Sequence, residues 1–141
     1  MIKIKNYIPH NELNEKLWNK NTKKLKPIIR KKLLDIAENF INDLGISIDY
    51  DDITLTGSLS NYNYTPYSDI DLHIVFDFDE VLDVDNDDLA KEFFNTKKNY
   101  WNHMHDIAIK NIEVEIYPQN TSEKHVSSGV YSVLRDEWIN E

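Results

Sequence analysis

The sequence predicts an α+β fold, and three observations carry that expectation. Apolar residues recur at helical spacing between Pro27 and Gly45. Two short runs, Ile53 to Thr56 and Asp71 to Phe78, are rich in β-branched and apolar residues and are bounded by turn formers. From Ile112 to Tyr117 apolar and polar positions alternate strictly, the period of a strand with one buried face.

Taken in order, residues 1–26 are polar, with Leu13, Leu17 and Trp18 as anchors, and read as a basic arm with a short helix. Pro27 sits where a first helical turn favours it, and Gly45 supplies the C-terminal cap. Between them Ile29, Leu33, Ile36, Ala37, Phe40, Ile41 and Leu44 form one buried stripe. Ile53 to Thr56 is a strand ended by Gly57-Ser58, and residues 58–68 form a loop with at most one helical turn. The near-continuous apolar run after Asp71 suggests a strand buried on both faces. Asp77 to Asp87 reads as an acidic loop, followed by a helix over 87–104 whose stripe is Leu89, Phe93, Tyr100 and Met104, with Trp101 beside it. Asp106 to Lys110 and Ile112 to Tyr117 are two strands joined at Asn111, a residue tolerant of left-handed turns. The tail folds back over the sheet through Val130, Val133, Leu134 and Trp138.

Composition bounds what such a chain does. Its 141 residues suffice for one domain with a real core. No apolar run approaches the roughly 18 residues of a membrane span, and the start MIKIKNYIPHNEL lacks a secretory pattern. Without cysteine there is neither a disulfide framework nor a thiolate metal site. The expected location is the cytoplasm. The net charge of −9 is unevenly spread: residues 1–34 carry ten Lys or Arg against two acids, and the remainder six against 23. A solvated lysine-rich helix face explains this, and so does an arm that contacts a polyanion such as RNA or a nucleotide.

The stretch LTGSLSNYNYTPYSDIDLHIVF holds the chemistry. Asp69 and Asp71, two residues apart, point the same way from the start of a strand. Glu115, on a strand whose opposite face is apolar, brings a third carboxylate to them, and Glu113 on the same polar face competes for that place. Three convergent carboxylates suit a hard cation such as Mg²⁺ or Mn²⁺. Gly57-Ser58 can turn backbone N–H groups and a hydroxyl toward a phosphate. Taken singly, Asp69 is an ordinary turn cap and Asp71 an edge acid; their combination with Gly57, Ser58 and Glu115 carries the metal reading. His73 reads as a packed strand histidine, and His103, His105 and His125 are too scattered for zinc. The segment HVSSGVYS is a plain loop or a cap over a nucleotide.

This arrangement resembles the nucleotidyltransferase superfamily typified by DNA polymerase β. There a hydrophobic strand ends in Gly-Ser, a loop follows, then Asp-hydrophobic-Asp-hydrophobic, with a third acid on a later strand. LTGS, a ten-residue spacer, DIDL and VEI match that pattern here, and VEI favours Glu115 over Glu113. The spacing is similar to that of minimal nucleotidyltransferases, among them antitoxins that modify a partner toxin, and the whole chain is similar to small stand-alone proteins of tailed phages. The resemblance implies a short mixed sheet with helices packed mainly on one face. It implies a single domain over 1–141, with the arm at 1–26, a catalytic core at 53–117 and a tail at 118–141 that packs on the sheet. It implies transfer of a nucleoside monophosphate from an NTP (ATP among them) to an acceptor hydroxyl, with two Mg²⁺ or Mn²⁺ ions held by Asp69, Asp71 and Glu115. RNA, a protein or a small molecule is the acceptor; a relative that keeps the fold but has lost the activity is the rival. Unlike many relatives, the LSNYNYTPY loop has no cation, so triphosphate binding is either weaker or draws charge from Lys97, Lys98 or the arm. No appended helical domain is visible to bind the acceptor.

Overall fold

The computed structural model describes residues 12–60, 64, 68–82, 87–123 and 129–140, with the side chains of Ser58 and Asp87 outside that description. A six-stranded sheet runs in the order β3-β4-β2-β1-β5-β6. Its strands are β1 Asp52–Thr56, β2 Ile70–Phe76, β3 Ala108–Ile109, β4 Ile112–Asn120, β5 Val130–Ser132 and β6 Glu137–Asn140. β2 and β4 run parallel while every other neighbour is antiparallel, so the sheet is mixed as expected.

Helix α1, Pro27–Leu44, forms where the apolar spacing demands it. Pro27 opens it, and Gly45 closes it in the left-handed region at φ 66°, its N–H bonded to the Asn42 carbonyl. Ile29, Leu33, Ile36, Ala37 and Phe40 are buried, and each of the four larger side chains contributes roughly 1.5–3 kcal/mol by burial. They meet Ile53 and Leu55 of β1, Ile70, Leu72 and Ile74 of β2, and Ile112, Val114 and Ile116 of β4 in one core. Arg30 ties α1 to the tail, donating to the Val133 and Leu134 carbonyls at 2.7 and 2.8 Å.

The second strand is not buried on both faces. Leu72 and Ile74 face the core while Asp71 and His73 are only half-buried on the opposite face. The apolar run continues past them because Val75 and Phe76 lie deeper in the sheet. Residues 77–82 are not wholly a loop. Asp77 accepts from the Asp79 and Glu80 N–H groups and starts a short helix, α2, Phe78–Leu82.

Helix α3, Asp87–His105, packs the other way round from its apolar stripe. Ala90, Phe94 and Trp101 are buried, whereas Leu89, Tyr100 and Met104 are 53, 66 and 58% exposed and Phe93 is half-buried. Helical spacing reports a face but not its direction. Trp101 fixes that direction by sitting edge-on against Phe40 and donating to the Asp43 carboxylate. Asn102, one residue on, bonds both the N–H and the carbonyl of Ile116, so α3 closes that stretch of the β4 edge.

Lys110 and Asn111 both have positive φ, 49° and 66°, and join β3 to β4 in a tight hairpin. Among the described residues of the arm there is no helix; a turn from Asn14 and a bridge between Trp18 and Leu25 replace it. Leu17 and Trp18 are the buried anchors, and Leu13 is half-buried. Trp18 stacks on Trp138 at 4.8 Å and meets Tyr131 edge-on at 5.0 Å. The tail supplies β5 and β6 and so extends the sheet rather than merely covering it.

Candidate active site

The face of the sheet opposite the core stripe is polar, and its strands align the chemistry. Thr56 pairs with Asp71 across β1 and β2, and Asp71 pairs with Glu115 across β2 and β4. One step further along, Thr54, His73 and Tyr117 form a second row. Asp69 and Glu113 precede the pair Ile70–Val114, and the two-residue period gives them the face of Asp71 and Glu115.

Carboxylate oxygens of Asp69, Glu113 and Glu115 lie within 4.8 Å of one another. Asp71 stands at their side, turned toward Gly57, where a Cβ would lie 2.5 Å from its Oδ2. Gly57 itself has φ 87°. Its place therefore has two causes, the left-handed turn and the close approach of Asp71. Burial, then Glu115, then Asp69, push the Asp71 carboxyl up to about 6. Burial and then Glu115 also raise Asp69. Carboxylates this close disfavour one another's ionisation, and a cation relieves them. With oxygen donors only, the set fits a hard divalent ion.

The turn after β1 is held from two distant parts of the chain. It begins with one 3-10 turn, Ser58–Ser60. Ser60 Oγ lies 2.7 Å from the carbonyl oxygens of both Gly57 and Gly129. A Cβ on Gly129 would strike the Ser60 carbonyl. Trp18 Nε1 donates to the Leu59 carbonyl at 2.8 Å. Trp18 and Gly129 thus pin the turn that Asp71 touches.

The family model of the nucleotidyltransferase domain matches residues 34–134, most of the chain. The chain belongs to that family. No curated protein and no solved structure matches it. The matched span runs from α1 through β5, so it is wider than the 53–117 core that carried the resemblance. As a nucleotidyltransferase the chain is a transferase acting with a nucleoside triphosphate, and its family generally uses divalent metals. Among the described residues, no helix is long and apolar enough to cross a membrane.

The nucleotidyltransferase brings Asp69, Asp71, Glu115 and Gly57 together, and Glu113 joins them. The Ser58 hydroxyl lies outside the described atoms, as do residues 125–128 of HVSSGVYS. Lys98 does reach this face: its Nζ stands 4.7 Å from the Tyr117 ring centre. Lys97 lies over Phe93 instead. His73 packs as expected, stacking on Tyr117 at 5.2 Å and hydrogen-bonded to Thr56 Oγ1 at 2.8 Å. Sequence reasoning passed over Thr56, Ser60 and Tyr117 as site residues, and met Gly129 only within the HVSSGVYS loop. Tyr117 left a trace there as the polar-face residue after Glu115 in the alternation.

Proposed function

We propose that this nucleotidyltransferase moves a nucleoside monophosphate from an NTP to an acceptor hydroxyl, releasing pyrophosphate, at a site for two Mg²⁺ or Mn²⁺ ions. The observation that carries this reading is the side-by-side register of Asp71 and Glu115, with Asp69 beside them and Gly57 packed on Asp71. Asp69 and Asp71 hold both ions, and Glu115 completes the set. Bound there, divalent ions neutralise phosphate charge and lower the pKa of the attacking hydroxyl. The Gly57-Ser58 turn offers backbone N–H groups to the triphosphate. Glu115 helps to activate the acceptor hydroxyl, and Lys98 supplies positive charge that the turn itself lacks. The acceptor is an RNA, a protein such as a partner toxin, or a small molecule. The exposed lysines of the arm, Lys20, Lys24 and their neighbours, form a surface for a polyanion. The reading places this work in the cytoplasm.

The test is incubation with each α-labelled NTP, Mg²⁺ or Mn²⁺, and lysate split into RNA, protein and small-molecule fractions. One fraction should take up label, and Asp71→Asn should lower that transfer at least about a hundredfold. A folded Asp71→Asn protein that keeps most of the transfer would refute the assignment.

A further inference from the structure

We propose that Tyr117 is the positioning residue for Glu115: its phenol holds one carboxylate oxygen and leaves the other for the metal. This inference rests on the nucleotidyltransferase reading above. Tyr117 and Glu115 lie two residues apart on β4, so they share the polar face, and the Tyr117 hydroxyl donates to Glu115 Oε2 at 2.5 Å. A carboxylate has about four lone-pair directions, and one strong donor fixes its plane without exhausting them. Oε1 remains available to a ligand.

The phenol ring is itself held by two neighbours. The His73 ring stacks on Tyr117, inclined by 24°, and Thr56 holds His73 from β1. The Lys98 ammonium stands over the ring from α3. Asn102, four residues beyond Lys98, anchors α3 to the β4 backbone at Ile116, so the lysine is presented from a fixed helix. β2 and α3 thus hold the ring whose hydroxyl donates to Glu115, with β1 behind His73. The same contact resolves the competition between two acids. Glu113 belongs to the carboxylate group but is exposed, while Glu115 is half-buried and braced. Outer partners of metal-binding carboxylates commonly carry 10–100-fold in metal affinity or activity, about the size expected here.

Tyr117→Phe keeps the ring, and with it the His73 stack and the Lys98 contact, and deletes only the O–H. Mn²⁺ binding without nucleotide, read from the paramagnetic resonance signal of free Mn²⁺, should weaken about tenfold or more in Tyr117→Phe. In the transfer assay kcat should fall by a similar factor with KM for the NTP unchanged. Circular dichroism should match wild type. The proposal is overturned if Tyr117→Phe binds Mn²⁺ like wild type while Glu115→Gln does not; the metal reading then stands. If Glu115→Gln and Asp71→Asn also bind like wild type, the metal reading falls, and the role of Tyr117 with it.

Discussion

Replacing Asp71 by Asn should make the metal-free protein more stable, although it deletes a residue the site depends on. The carboxyl lies at about 6 in the folded chain against an ordinary 3.8, with burial the first cause, Glu115 the second and Asp69 the third. The folded state therefore holds this proton more tightly than the unfolded state. Stability falls as pH rises from about 4 to about 6.5, and the full penalty is present above that range. Unscreened, the shift corresponds to about 3 kcal/mol. Asp71 is half-buried, so solvent screening cuts this to roughly 1–2 kcal/mol. For a chain of this size each kcal/mol moves Tm by about 3–4 °C. Asp71→Asn in EDTA at pH 7.5 should then melt about 3–8 °C above wild type, and the gap should close near pH 4. Adding Mn²⁺ reverses the order. An ion at a hundredfold excess over its Kd stabilises the native state by about 2.7 kcal/mol, and the variant should lose most of that gain. Thermal melts of both proteins across pH, with EDTA and with Mn²⁺, decide the matter. Equal Tm values in EDTA at pH 7.5, or a gap that persists unchanged at pH 4, would refute the reasoning.

Two further substitutions probe the turn. Gly57→Val places a Cβ against Asp71 Oδ2 and forces a branched residue to φ 87°, so nucleotide affinity should fall more than about tenfold with the dichroism spectrum retained; unchanged affinity by calorimetry rules out the cradle. Trp18→Ala removes a buried indole stacked on Trp138 and frees the Leu59 carbonyl. It should cost about 3–5 kcal/mol, a Tm drop of about 10 °C or more, and a drop under about 3 °C would show the arm to be dispensable.

The legible parts of this chain are those written in neighbouring residues. Pro27 and Gly45 bracket α1 because caps are local, and Lys110-Asn111 makes its hairpin because the turn needs only those two residues. Gly57, Asp69 and Asp71 stood out because their spacing lies within one loop. What escaped depends on partners far along the chain. The direction of α3 is set by Trp101 meeting Phe40, across 61 residues, and no periodicity contains that contact. β5 has three residues and becomes a strand because β1 and β6 flank it as partners. Ser60 and Gly129 brace the turn across 69 residues, and neither carries a motif. The apolar run of β2 hid its alternation because the strand's far end is buried.

The two-residue hairpin at Lys110-Asn111 also makes the core the ruler of the active site. Because side chains alternate with a period of two, a slip of one position in β4 would turn Glu113, Glu115 and Tyr117 inward and expose Ile112, Val114 and Ile116. Re-exposing three such residues would cost about 5 kcal/mol or more, before the buried acids are counted. Nothing in the carboxylates themselves opposes the slip, since like charges gain nothing from meeting. Their alignment with Asp69 and Asp71 is enforced from the reverse side of the sheet by hydrocarbon. An inserted residue in this turn should therefore be absorbed by the loop as a bulge and leave the acids in place. An inserted residue between Ile112 and Glu115 has no such refuge.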